Sequence, residues 1–261
     1  MSINEKSGLK YFEFNFLTKH QIPHGIFTRV GGCSPKPWHT LNVATSVGDS
    51  KNNVIENRQR IMEVFNHSID SIFDVWQIHS DEVIITNTPR NRDEPHQKGD
   101  AIITNRPNVF IMMLFADCVP IFLFDHKKRV IAIVHAGWQG TVKKIVQKTI
   151  GKMEKIYYCR PEDIFAGIGP SVCVNHYIVG DKVVQLVRKN FPHSFDSVLI
   201  KDGIEVHFDL WKANQLLLEK ARVRLIENQN ICTACNTQDW FSHRAESGMT
   251  GRFAGVIGLP A

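Results

Sequence analysis

The chain has 261 residues, 43% of them hydrophobic and 22% charged, and carries a formal charge of +5. That balance is ordinary for a globular enzyme able to bury a core without disulfides, and length alone leaves one large or two small domains open. No window approaches the roughly 18 uninterrupted apolar residues of a membrane span. No basic stripe is interleaved with aromatics, which argues against nucleic acid, whereas a mild positive field suits a small anion such as phosphate.

The N-terminal MSINEKSGLKYFEF lacks the apolar core of a signal peptide, and six irregularly spaced cysteines do not read as a disulfide framework. A cytoplasmic setting with reduced, metal-competent thiols is therefore expected. FNFL reads as an opening strand. The turn-rich run GGCSPKPWHTLNVATSVGDS is too long for a mere connection and carries His39, Thr40 and Asn42, of which His39 and Asn42 either line a pocket or serve as turn residues. Asp49 and Ser50 are N-cap candidates for the helix KNNVIENRQRIMEVF. Arg58 falls on that helix's apolar stripe, and a charge there needs an anionic partner. The choice is a structural ion pair or a guanidinium aimed at substrate phosphate.

Strand-like runs follow at DVWQIH, EVIITN and DAIIT. The stretch Phe110 to Ile145, FIMMLFADCVPIFLFDHKKRVIAIVHAGWQGTVKKI, then dominates the pattern. One apolar strand closes on Asp117-Cys118 and a later one on His135, with Lys127-Lys128-Arg129 as a solvated hairpin turn. His79, in VWQIHSDEV, follows another apolar run. If the three converge, a Cys/His/His set with an open fourth position is a catalytic zinc arrangement. Behind His135, Gly137 and Gly140 mark a tight turn. Thr141 reads as the cap of the helix VKKIVQKTIGKMEKIYY, and the turn's free N–H groups could hold an anion. Beyond lie a strand at DIFAGIG, a helix at DKVVQLVRKNF, a hairpin at VLIKDGIEVHFD, a helix at LWKANQLLLEKARV and a closing strand. The pattern predicts one α/β domain over residues 1–261, with mixed sheets layered against helices.

TRVGGCS, LNVATSVGD, ENRQR, QIHSDEV, DAIIT, ADCVPIFLFD, VHAGWQGTV, GIGPSVC, DLWKAN and TGRFAGVIGL run in order along nearly the whole chain. On these segments the chain resembles the YfiH/YlmD-like laccase-domain (polyphenol-oxidase-type) family. The resemblance implies a metal-dependent purine nucleoside phosphorylase acting on adenosine, inosine, guanosine and methylthioadenosine, with adenosine deaminase activity alongside. It places the metal ligands and catalytic residues at His79, Cys118 and His135, with Zn2+ as the ion and Cu2+ as an alternative. Three departures stand out. Gln139 occupies a position where the family commonly has arginine, His243-Arg244 replaces a tyrosine followed by arginines, and Cys235 adds a second cysteine to Cys232.

A thiolate and two neutral imidazoles leave a divalent ion net positive, hence a Lewis acid suited to attack at C6 of adenine. Phosphorolysis asks instead for phosphate donors, for which Arg58, Asn42, Arg244, Gly137 and Gly140 are candidates. Asp100 and Asp117 are candidates to orient the imidazoles or to cap loops. Cys232-x-x-Cys235 on its own reads as an inert pair. The 12 histidines include no His-x-His, so a multicopper cluster is not expected, and phenol oxidation by bound copper would be a side activity. Two readings compete. One is a metal-independent cysteine hydrolase or amidase with Cys118 as nucleophile and His135 as base. The other is a zinc-stabilised binding domain without turnover.

Overall fold

The computed structural model describes residues 2–260. In chain order the strands are β1 Ser2–Lys6, β2 Leu9–Glu13, β3 His24–Phe27, β4 Ile72–Phe73, β5 Val83–Ile85, β6 Ala101–Thr104, β7 Phe110–Phe115, β8 Val119–Asp125, β9 Val130–Ala136, β10 Ile164–Ile168, β11 Leu199–Asp202, β12 Glu205–Phe208, β13 Leu225–Asn228 and β14 Phe253–Gly258. The helices are α1 Asn15–Lys19, α2 Lys51–Val64, α3 Trp138–Val142, α4 Ile145–Tyr157, α5 Asp181–Asn190, α6 Phe195–Val198 and α7 Leu210–Lys220. One sheet has the order β1-β2-β3-β14-β7-β4 and a second the order β13-β10-β8-β9-β6-β5, while β11 and β12 form a hairpin. Both large sheets are mixed: β4 runs parallel to β7, and β5 to β6, amid antiparallel neighbours.

Alternation along the central strands sets the layers. Val130, Ala132 and Val134 of β9 face the helices, packing with Ile145, Ile150 and Met153 of α4 and Leu217 of α7. Ile131 and Ile133 face the other way and pack on Ile111, Met113 and Phe115 of β7 and Phe253 of β14. The outer face of the first sheet, Phe110, Met112 and Val256, is covered by Ile61 and Met62 of α2. The period of two thus buries both faces of both sheets, in the order helices, sheet, sheet, helix. The mixed α/β class expected from the pattern is the one observed.

Several local expectations change. FNFL is not a strand: Asn15–Lys19 is a short helix and the strand precedes it. DVWQIH contributes only a bridge between Trp76 and Lys98. The glycine-turn helix begins at Trp138 with Gly137 as N-cap, then breaks at Lys144, whose φ is +63°, before α4. Thr141 is buried inside the short first piece, receiving a hydrogen bond from Asn214. The cap expected at Ser50 is present, its Oγ accepting from the amide of Asn53.

His24 illustrates how the interior constrains charge. Its Nε2 accepts from the amide of Phe14 and its Nδ1 lies 2.7 Å from the carbonyl of Ile22, with the ring 1% exposed. Burial lowers its pKa from 6.5 to about 4. The unfolded chain therefore binds the extra proton between these values, so stability is full above pH 6.5 and falls as the pH drops toward 4. The loss should be about 3 kcal/mol. Urea unfolding from pH 7 to 4 should show this slope, and His24→Gln should flatten it.

Candidate active site

The site forms where the chain passes from one large sheet to the other. His79 lies between β4 and β5, and Cys118 lies between β7 and β8; each segment leaves the first sheet and enters the second. His135 is near the end of β9, paired across the ladder with Pro120, which places it beside Cys118. One donor atom from each of the three falls within 4.8 Å of the others, and the Cys118 Sγ to His79 Nε2 distance is 3.9 Å. The sulfur-to-nitrogen edge of a tetrahedral zinc site is about 3.6 Å, from Zn–S of about 2.3 Å and Zn–N of about 2.0–2.1 Å. The three side chains fit a shared metal ion.

Asp100 is fully buried and organises two of them. Its Oδ1 accepts from the amide of His79 (3.1 Å) and lies 2.9 Å from His135 Nδ1. Its Oδ2 accepts from the amides of Ile78 and Ser80 and from the Ser80 hydroxyl, at 3.2, 2.6 and 2.7 Å. These bonds hold His79 at φ +56°, in the left-handed region, a conformation that costs a non-glycine residue about 1–3 kcal/mol. With Nδ1 committed to Asp100, the Nε2 of His135 is left for a metal or substrate. Burial alone would raise the Asp100 pKa, but the His135 and Ser80 donors bring it down to about 2.

The thiol and the imidazole polarise each other. Burial would push the Cys118 thiol up, yet the His135 and His79 rings overcome this and lower it to about 6. Burial would lower His135, but Cys118 and Asp100 raise it to about 9. The site therefore favours a thiolate, the form that binds metal or attacks carbon. Gly137 makes room for it: a Cβ there would meet Cys118 Sγ at 2.7 Å and His79 Cδ2 at 3.3 Å.

The three residues line a cavity of about 530 Å³, a volume suited to a small-molecule substrate. Its walls also carry Arg58, Arg244 and Arg252, the aromatic rings of Trp76, Trp138 and Tyr177, and the imidazoles of His96 and His243. Arg58 faces the cavity but is also the structural ion pair of the blander reading: its Nη1 donates to Asp74 at 2.7 Å and its Nε to the Val43 carbonyl. Arg244 lies with its guanidinium carbon 5.1 Å from the Tyr177 ring centroid and donates to the Ile178 carbonyl.

Not every expected residue is in the wall. Asn42 is fully buried and spent on the 42–49 loop, donating to Asp49 and the Ala44 carbonyl while accepting from Ala44 and Arg252 amides. Gly140 is buried within α3, where a Cβ would press on Ile145 and the carbonyls of Ser80 and His135; its absence of side chain serves packing. Asp117 orients no imidazole and instead accepts from the Thr233 hydroxyl and the Arg244 amide, both at 2.6 Å. Arg252, Trp76, Trp138 and Tyr177 were not singled out by the sequence pattern. Arg252 sits in TGRFAGVIGL, where a charge beside a closing apolar strand was the available signal.

The sequence model described as multi-copper polyphenol oxidoreductase laccase matches residues 23–260. The chain belongs to that family. Purine nucleoside phosphorylase YlmD of Bacillus subtilis is 34% identical over 248 residues, spanning 92% of this chain and 89% of that protein. Purine nucleoside phosphorylase of Deinococcus radiodurans is 36% identical over 240 residues, spanning 92% and 90%. The crystal structure of YlmD from Geobacillus stearothermophilus superposes with a TM-score of 0.93 at 27% identity, covering 99% of each chain. Gln139, one of the three departures noted from the family resemblance, stands in the cavity wall.

Two substitutions probe the construction. Gly137→Ala should displace the thiolate and strip metal from the centre while circular dichroism stays native. Asp100→Asn should weaken metal affinity by about 10–100-fold, the usual cost of losing an orienting partner. Competition with a chromophoric chelator measures both.

Proposed function

We propose that the chain is a metal-dependent purine nucleoside phosphorylase, with adenosine deaminase as a side activity. The observation that carries this reading is the convergence of His79, Cys118 and His135 in a cavity whose remaining walls combine arginines with aromatic rings. The curated relatives named purine nucleoside phosphorylase support the same reading. Adenosine, inosine, guanosine and methylthioadenosine are the proposed substrates, the cytoplasm the proposed compartment and the whole chain one catalytic domain. No helix among the described residues is long and apolar enough to cross a membrane.

In the phosphorolytic step a phosphate oxygen attacks C1′ of the ribose, the C1′–N9 bond breaks, and the purine leaves with the electron pair and takes up a proton. Arg58, Arg244 and Arg252 supply cationic donors to the phosphate, holding it where charge builds up. Trp76, Trp138 and Tyr177 offer flat apolar faces for the purine. Asp100 fixes the tautomer of His135 so that one ring nitrogen always faces the cavity. Zinc, the proposed ion, would be held by His79, Cys118 and His135 and would supply Lewis-acid stabilisation of developing negative charge and of a deaminating nucleophile. Copper in the same donor set would give phenol oxidation as a side reaction.

A second reading rests on the lowered pKa of Cys118 beside His135, the electrostatics of a cysteine hydrolase that needs no metal. Chelation separates the two, because it should abolish nucleoside turnover and spare a hydrolase.

Purified protein should release base and ribose-1-phosphate from nucleosides only when phosphate is present, and His79→Ala and Cys118→Ala should lose this activity. Inosine from adenosine as the sole product would leave a deaminase and remove phosphorolysis. Arg252→Ala should raise KM for phosphate by about 10–100-fold, the worth of one charge-assisted contact. Initial rates over a phosphate series check this.

A further inference from the structure

A second donor group lies outside the catalytic triad. Cys173 caps the short 3-10 turn Val174–His176 that His176 closes, and Cys232 and Cys235 bracket the turn that follows the bridge of Ser171 to Cys232. The His176 Nδ1 is 3.3 Å from Cys173 Sγ, 3.5 Å from Cys235 Sγ and 3.9 Å from Cys232 Sγ. All four donor atoms fall within 4.8 Å of one another. We propose that Cys173, His176, Cys232 and Cys235 form a second, structural zinc site.

Geometry and chemistry agree on that ion. The three sulfur-to-nitrogen distances bracket the edge of about 3.6 Å expected of a tetrahedral zinc site, and sulfur pairs in such a site sit about 3.8 Å apart. A Cys-x-x-His turn facing a Cys-x-x-Cys turn supplies three thiolates and one imidazole, a closed set with no position left for substrate. Thiolate-rich donors select zinc over magnesium or calcium, which take oxygen ligands. The two turns are held together by protein bonds of their own: Ser171 donates to the Ile231 carbonyl, and Thr233 to that of Ser171. The amide of Cys173 donates to Cys232 Sγ at 3.3 Å, an arrangement that stabilises a sulfur carrying negative charge. Cys232 is buried, whereas His176 and Cys235 are exposed, so an ion can enter from solvent.

The site would brace the far wall of the cavity. Thr233, next to Cys232, donates to Asp117, which adjoins Cys118 and also receives the amide of Arg244. Tyr177, next to His176, lies beneath the Arg244 guanidinium. A metal fastening the two turns would fix these neighbours without contacting substrate.

Elemental analysis of the full chain purified from zinc-supplemented cells tests the proposal independently of any turnover. Wild type should carry about two zinc ions per chain and Cys118→Ser about one, following one ion per donor set. Cys235→Ser and His176→Ala alter exposed side chains and so leave the core intact. Either one, added to Cys118→Ser, should remove the remaining ion while circular dichroism stays native. Cobalt loaded into Cys118→Ser should show thiolate-to-metal charge-transfer absorption, and this should vanish in C118S/C235S. A wild-type content of about one ion, unchanged by C235S or H176A, would overturn the proposal. So would an intact mass short of a pair of hydrogens, which would mark a disulfide in place of the metal.

Discussion

The Asp100 carboxylate is the contact on which the centre depends. It is sealed from water and accepts from three consecutive backbone amides, one hydroxyl and one imidazole. A buried carboxylate is tolerated only when its lone pairs are filled, and here every donor is part of the site. One side chain thus sets both the left-handed turn at His79 and the tautomer of His135. Removing its charge would leave the strained turn at His79 and the imidazole of His135 without their common support.

The rest of the cavity follows from charge balance. Asp74 is held well below the usual carboxylate range, since His96, Arg58 and Arg90 outweigh the cost of its burial. It anchors Arg58 and Arg90 through ion pairs of 2.7 and 2.8 Å. Fixing a guanidinium against one carboxylate while it still faces the cavity gives a preorganised donor rather than a flexible one. The ion pair with Asp74 matches the structural reading of Arg58's place on an apolar stripe, while a contact with substrate phosphate belongs to the proposed function.

The donor triad was legible because strand ends rarely carry cysteine or histidine after long apolar runs, and the layered α/β class because those runs alternate. What the sequence could not reveal was which strands share a sheet. The strands on either side of Asp117-Cys118 follow one another directly along the chain, yet they belong to different sheets. Asn42 looked like a pocket residue because a polar loop does not announce which side chains turn inward; its amide is consumed by that loop's own backbone. Cys232 and Cys235 looked inert because their partners, Cys173 and His176, lie far away in sequence and only the Ser171 bridge brings them close.

Both crossings from the first sheet to the second contribute a donor atom, and the third comes from a strand end of the second sheet. The mutual distances of these atoms are thus a gauge of how far apart the two sheets lie. The spacing itself is fixed by Phe115, Phe122, Ile133 and Phe253, none of which ligates anything. A repacking of that layer too mild to unfold the chain would still slide the sulfur away from the imidazoles. Substitutions among such apolar side chains would then alter the donor geometry while every donor residue stays in place.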